Sequence, residues 1–446
     1  MAGVRITGRG ASRNADIKLS LCPLCGYRPP AGRIVWIVAG KSPLTTRMAG
    51  SKVVEIPPLP PELQRLCETE YPRFSNAEMT RRRAAIEGLM QAAGCDHLIF
   101  CGANRFGSIV QWLTGWPVTA EAVGALTPGE RDAMFVQYVN HAELASIIAR
   151  DADVAWGGTS SIESAIAVLT KRKATRDRIA FIGPLSLAQH AALSKAFGAP
   201  QDLNKAYIKL RKVKSAEELD WLRVGAYFAD LGMAALRDNL RPGVREIELG
   251  ARIEEAYVAR GGGHAIHYVG VTSMHTPEVP VPRQFASRRC VQTGDAVSAE
   301  ISASFWEHPG QVLRSFTVGE PPTSLYRDLH AAADAAFDAI CSILKAGTLP
   351  HDVIEASRVI EQADFTIIDD LLHGYGGGYL PPVLGSTSRP AGPIPQEPFC
   401  AGQTVVVQPN VVTRDRKAGV QMGELLLITE RGVERMHRYP RGHEIV

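Results

Sequence analysis

GDAVSAEISASFWEHPGQVLRSFTVG, residues 294–319, is the stretch on which the fold turns. It reads as two strands joined by a turn. Glu300 falls inside the first apolar strand, Gln311 at the start of the second, and Arg314 three residues on. An unpaired polar group buried in a sheet costs on the order of 1–3 kcal/mol, so side chains of this kind sit inside strands for a use. Glu307 and His308 fall in the turn and read as solvent-facing. Three later stretches repeat the pattern of one or two polar residues in apolar surroundings: LLHGYGGGY (371–379), TVVVQPNVV (404–412) and VQMGELLLIT (420–429).

The order GD…E…Q..RSF..G, then HGYG, then VVVQP, then GELLLIT resembles the C-terminal domain of the creatinase / aminopeptidase P / prolidase superfamily, the pita-bread fold. Metal-dependent members carry Asp, Asp, His, Glu and Glu as ligands. The matching positions here are Glu300, Gln311, His373, Gln408 and Gly423. His373 alone is kept. Glu300 is a lengthened carboxylate, two carboxylates have become amides, and one position has no side chain.

The 446 residues, 45% hydrophobic, suit a two-domain globular protein. A net charge of +3 gives no reason to expect nucleic acid or an anionic membrane as partner. No apolar run approaches the roughly 18–20 residues that cross a bilayer, and no secretory signal is visible. The eight cysteines are scattered and read as reduced thiols of a cytoplasmic protein. Cys22 and Cys25 form a C-x-x-C unit with no second pair nearby, which is weak as a zinc signal.

Residues 1–74 are expected to be an N-terminal extension, partly disordered, with 1–47 dispensable, Met48 an equally good start and PPLPPE (57–62) an extended arm. Residues 75–205 alternate helix and strand, an α/β domain. It opens with a helix at Asn76 whose Arg81, Arg82 and Arg83 read as a solvated face, and it is similar to the creatinase-type N-terminal domain. Residues 206–446 are expected to form the α+β pita-bread domain. Ser215 and Glu218 make a capping box at its first helix, and K-S-x-E-E-L is a family opening.

Too few anionic oxygens line the old ligand positions to hold a metal pair, so no metal and no other cofactor are expected. Glu424 would add a carboxylate if a bulge swung it inward. The leading reading is a metal-independent hydrolase of a small molecule, cleaving a C–N bond, with His275, Glu300 and His373 as catalytic residues. Glu300 would activate water or, alternatively, pair with Arg314. Substrate would be held by Gln311, Arg314, Tyr375, Tyr379, Gln408 and His267. Arg105, beside Trp112 and Trp116, would come from the N-terminal domain of the neighbouring subunit. The alternatives are a metal-dependent Xaa-Pro aminopeptidase-like enzyme, a lyase or decarboxylase, and a metabolite-binding protein without turnover. The resemblance implies a homodimer.

Overall fold

The computed structural model describes residues 54–103 and 109–446. Residues 1–47, Met48, Cys22, Cys25 and Arg105 lie outside them. The described residues fall in one compact unit.

Two helices open it, α1 (Pro61–Glu68) and α2 (Asn76–Ala92). The first sheet follows: β1 (His97–Ala103), α3 (Ile109–Thr114), β2 (Glu121–Leu126), β3 (Asp132–Val136), α4 (Ala142–Ile148), β4 (Ala152–Trp156) and α5 (Ser161–Lys171). It closes with β5 (Ile179–Ile182), α6 (Leu187–Phe197), β6 (Gln201–Asp202) and α7 (Asn204–Lys212). The strands lie in the order β4-β3-β2-β1-β5-β6. The pairs β1–β2, joined through α3, and β2–β3, a hairpin, are antiparallel, and β1–β5, β3–β4 and β5–β6 are parallel.

The second half begins with α8 (Ala216–Asn239) and α9 (Glu246–Glu255), then β7 (Gly263–Ser273), β8 (Asp295–Phe305), β9 (His308–Pro309), β10 (Val312–Thr317) and α10 (Ser324–Ile343). After α11 (Pro350–Ala356), α12 (Val359–Gln362) and β11 (Thr366–Ile367) come β12 (Leu372–Tyr375), β13 (Tyr379–Leu384), β14 (Thr404–Val407) and β15 (Val411–Val412). The last strands are β16 (Gly423–Ile428), β17 (Val433–Arg435) and β18 (Glu444–Ile445). Ten of the strands in this half build a sheet with the main path β13-β12-β14-β16-β10-β8-β7, and β11 and β15 pair separately.

Helix α8 starts on the expected capping box. Ser215 Oγ accepts from the Glu218 amide at 3.2 Å, and Glu218 accepts from the Ser215 amide at 2.9 Å. Its Trp221, Val224 and Phe228 pack on Val297, Ala299, Ile301, Ala303 and Phe305. Strand β8 therefore gives its odd-numbered residues to the helix layer. Its even-numbered residues, Ser298, Glu300, Ser302 and Ser304, take the other face. Helix and hairpin touch backbone to backbone. A Cβ on Gly225 would meet the His308 carbonyl at 2.1 Å, and one on Gly310 would meet Ala226 Cα at 2.3 Å. Glycine at both positions permits that approach.

One helix face differs from expectation. Arg82 is 1% exposed. It bonds Glu78 at 2.7 Å, approaches Glu218 at 3.1 Å and lies over the Phe74 ring. The planar guanidinium can be buried because carboxylates and a ring satisfy it together.

Candidate active site

Five strands or strand edges bring the ancestral ligand positions together on the face of the second sheet that carries Glu300. Gln311 Nε2 donates to Glu300 Oε1 at 2.7 Å and lies 3.3 Å from Gln408 Oε1. Gln408 Nε2 in turn donates to Asp370 Oδ1. Gln421 Nε2 lies 3.5 Å from Glu300 Oε2. Two carboxyl groups are thus joined through two amides, and all five side chains are buried.

Burial dominates the electrostatics. It pushes Glu300 up to about 7, with the Asp369 charge adding to the rise and the Gln421 and Gln311 amides opposing it. Asp370 rises to about 8, again through burial first and Asp369 second. His373 is held down at about 4 by burial, against the pull of the Gly374 carbonyl and the Gln408 side chain. Its Nδ1 lies 3.1 Å from the Gly374 carbonyl. Its Nε2 finds no hydrogen-bond partner among the described residues, and neither does Gln311 Oε1 or Gln421 Oε1. Tyr379 stacks on the imidazole with centroids 3.8 Å apart, and Tyr375 meets it edge-on at 5.4 Å. Tyr375 is buried, whereas Tyr379 is half-exposed.

Of the residues expected at the site, Glu300, Gln311, His373, Tyr375, Tyr379 and Gln408 converge. Three do not. Arg314 lies on the helix-covered face, 2.7 Å from Glu424 Oε2, and also donates to the carbonyls of Gly423 and Pro440. It is therefore neither a substrate ligand nor the partner of Glu300. His275 sits beyond the end of β7, 64% exposed, with Glu320 at 3.4 Å. Strand β7 pairs Ser273 with Asp295 at that end, five residues along β8 from Glu300. His267 pairs with Ile301 in register, so it faces away from Glu300, whose partner is Tyr268. Asp370 and Gln421 escaped the sequence reading. Gln421 carried a signal: it stands two residues before Gly423 and so on the same side of an extended chain. Asp370 carried only its place beside Asp369, ahead of LLHGYG.

The donor set does not fit a dinuclear metal centre. Amide hydrogens of Gln311 and Gln408 point at the carboxylates where a cation would have to lie. Glu424 stays in the regular β14–β16 ladder and is taken up by Arg314 and Arg435. A side chain at Gly423 has no room, because its Cβ would meet the Val407 carbonyl at 2.4 Å and Gln408 Cα at 2.8 Å.

Beside this site a cavity of about 30 Å³ is lined by Arg82, Trp112, Lys214, Trp221, His308 and Gly376, among others. His308 faces this cavity rather than open solvent, and burial holds it at about 4. Burial also brings Lys214 down to about 7. Its amine donates to the carbonyls of Arg211 and Lys212 at 2.8 and 3.0 Å.

A six-stranded mixed sheet followed by a curled antiparallel sheet with this polar face defines a two-part pita-bread protein. Residues 220–430 match metallopeptidase family M24. That match covers just under half of the chain, which is to that extent similar to the M24 metallopeptidases. The chain is similar to an Xaa-Pro dipeptidase from Bacillus anthracis, with a TM-score of 0.69 and 19% identity over 82% of this chain and 100% of that one. It is also similar to dipeptidase PepE from Mycobacterium ulcerans, with a TM-score of 0.68 and 22% identity over 84% and 99%. In sequence it is 26% identical over 242 residues to an uncharacterized hydrolase/peptidase of Sinorhizobium fredii, covering 52% of this chain and 58% of that protein. A probable dipeptidase PepE of Mycobacterium bovis is 25% identical over 250 residues, 53% of this chain and 61% of that protein. The chain thus spans about three-fifths of the length of these curated relatives. No helix among the described residues is long and apolar enough to cross a membrane.

Proposed function

We propose that the chain is a metal-independent hydrolase that cleaves a C–N bond of a small molecule by acid–base catalysis. The observation that carries this reading is the pair of buried carboxyl groups, Glu300 and Asp370, linked through Gln311 and Gln408 and poised near neutrality. Environments that hold two titrating groups at different values sort them into base and acid. Ionised Glu300 takes a proton from water as its oxygen attacks the carbon of the scissile bond. Protonated Asp370 gives its proton to the departing nitrogen, which leaves as the amine. Proton transfer from Glu300 to Asp370 through solvent resets the pair. His373, neutral, offers its unpartnered Nε2 to the substrate, and the free oxygens of Gln311 and Gln421 accept N–H groups. Substrate enters by displacing Tyr379, which stacks on His373.

The test is turnover of amide, ureido and dipeptide compounds by chelator-treated protein shown to be metal-free. Activity retained there and lost in Glu300→Gln and Asp370→Asn supports the reading. Activity that appears only on adding manganese, zinc or iron overturns it in favour of a second reading, a metal-dependent dipeptidase. The names of the similar dipeptidases favour that second reading. We place the enzyme in the cytoplasm as a homodimer. The free thiols of Cys67, Cys95, Cys101, Cys290, Cys341 and Cys400 support the reduced compartment.

A further inference from the structure

Strand β7 carries two histidines three residues apart, and residues at that spacing point to opposite faces of a regular strand. Here the pairing of β7 with β8 slips between His264 and Ile266. The bulge returns both imidazoles to one side, where the rings of His264 and His267 meet edge to face with centroids 4.4 Å apart. Glu254, in the last turn of α9, reaches the same spot, with its Oε1 3.2 Å from His264 Nδ1. One ligand atom from each of the three residues lies within 4.8 Å of the others. The cluster is on the face of the sheet away from Glu300 and His373.

We propose that Glu254, His264 and His267 bind a divalent cation of the zinc, nickel and copper class, at a site separate from the Glu300–His373 centre. Two imidazole nitrogens and one carboxylate oxygen suit these ions, whereas magnesium and calcium ask for an oxygen-rich cage. Ligands about 2.0–2.1 Å from a tetrahedral zinc lie about 3.4 Å from each other. The His264–Glu254 separation is already close to that. Both of these side chains are about half-exposed, which leaves a path for the ion and for the waters that complete its shell. His267 arrives as the neutral imidazole. The buried Tyr257 phenol, raised above its ordinary range, donates to Nε2, and Nδ1 donates to the Ile266 carbonyl. The cation takes Nε2 in place of the phenol hydrogen. A bound ion ties the end of α9 to the start of β7.

Calorimetric titration of zinc into the metal-free full-length chain tests this. One saturable equivalent is expected, weakened at least about tenfold in His264→Ala and in Glu254→Gln, since loss of even an outer partner costs a metal site that much. Both residues are half-exposed, so the variants should keep the melting temperature of the parent. His373→Ala should bind zinc as the parent does. Zinc binding that does not saturate, or that survives both surface substitutions, overturns the proposal. So does binding lost in His373→Ala and kept in His264→Ala, which assigns the ion to the other centre.

Discussion

Arg314 reaches Glu424 and not Glu300: Nη2 lies 2.7 Å from Glu424 Oε2, and neither side chain is more than 1% exposed. Burial would raise the Glu424 carboxyl, but the Arg435 and Arg314 guanidiniums hold it below the usual range. Its stabilising contribution is therefore present above the ordinary carboxylate range and is lost as pH falls through the lowered value. Removing one partner leaves the other charge buried alone. Arg314→Ala and Glu424→Gln should each cost about 3–5 kcal/mol, read by denaturant unfolding.

Glu300 and Asp370 carry the opposite sign. Their folded values, about 7 and about 8, stand above the ordinary ones. Stability is full below the ordinary carboxylate range and falls as pH rises through these values. Glu300→Gln should accordingly stabilise the fold at pH 8 by on the order of 2 kcal/mol, measured as unfolding free energy. The same pair should give turnover a bell-shaped pH dependence, with limbs near 7 and 8 that belong to the pair jointly.

Restoring the acid of the metal-dependent relatives at position 423 should fail. The Cβ of Gly423→Glu meets the Val407 carbonyl at 2.4 Å and Gln408 Cα at 2.8 Å, so the strand must shift. The variant should lose about 1–3 kcal/mol, as overpacked cores do. Elemental analysis should show no metal gained at this centre.

The two histidines read as catalytic from the sequence should separate cleanly. His373→Ala removes the buried ring beneath Tyr379 and should lower kcat by about 100-fold or more, the scale of a positioned acid–base or polar group. His275→Ala, at an exposed site, should leave kcat/KM unchanged and stability within about 0.5 kcal/mol.

The polar residues set in apolar strands were legible one by one. Glu300, Gln311, His373 and Gln408 each stand out against valine and leucine, and their order in the chain gives the fold. What went astray was facing. Gln311 and Arg314 are three apart on an extended chain, which by itself puts them on opposite sides, so Arg314 could have been set aside. His267 could not: its facing depends on the register with β8 and on a bulge that no local pattern announces. Asp370 lies in a loop where no periodicity applies. Arg82 reads as solvated because the carboxylate it approaches, Glu218, comes from the other half of the chain.

Gly310 has a bearing on chemistry it never touches. Its bare backbone rests on Ala226 of helix α8, and the next residue is Gln311. The helix acts as an anvil for the hairpin. A methyl group added at 310 would lift the strand and swing the Gln311 amide that donates to Glu300. Because the atoms met are backbone, such a change would register in folding as well as in proton handling.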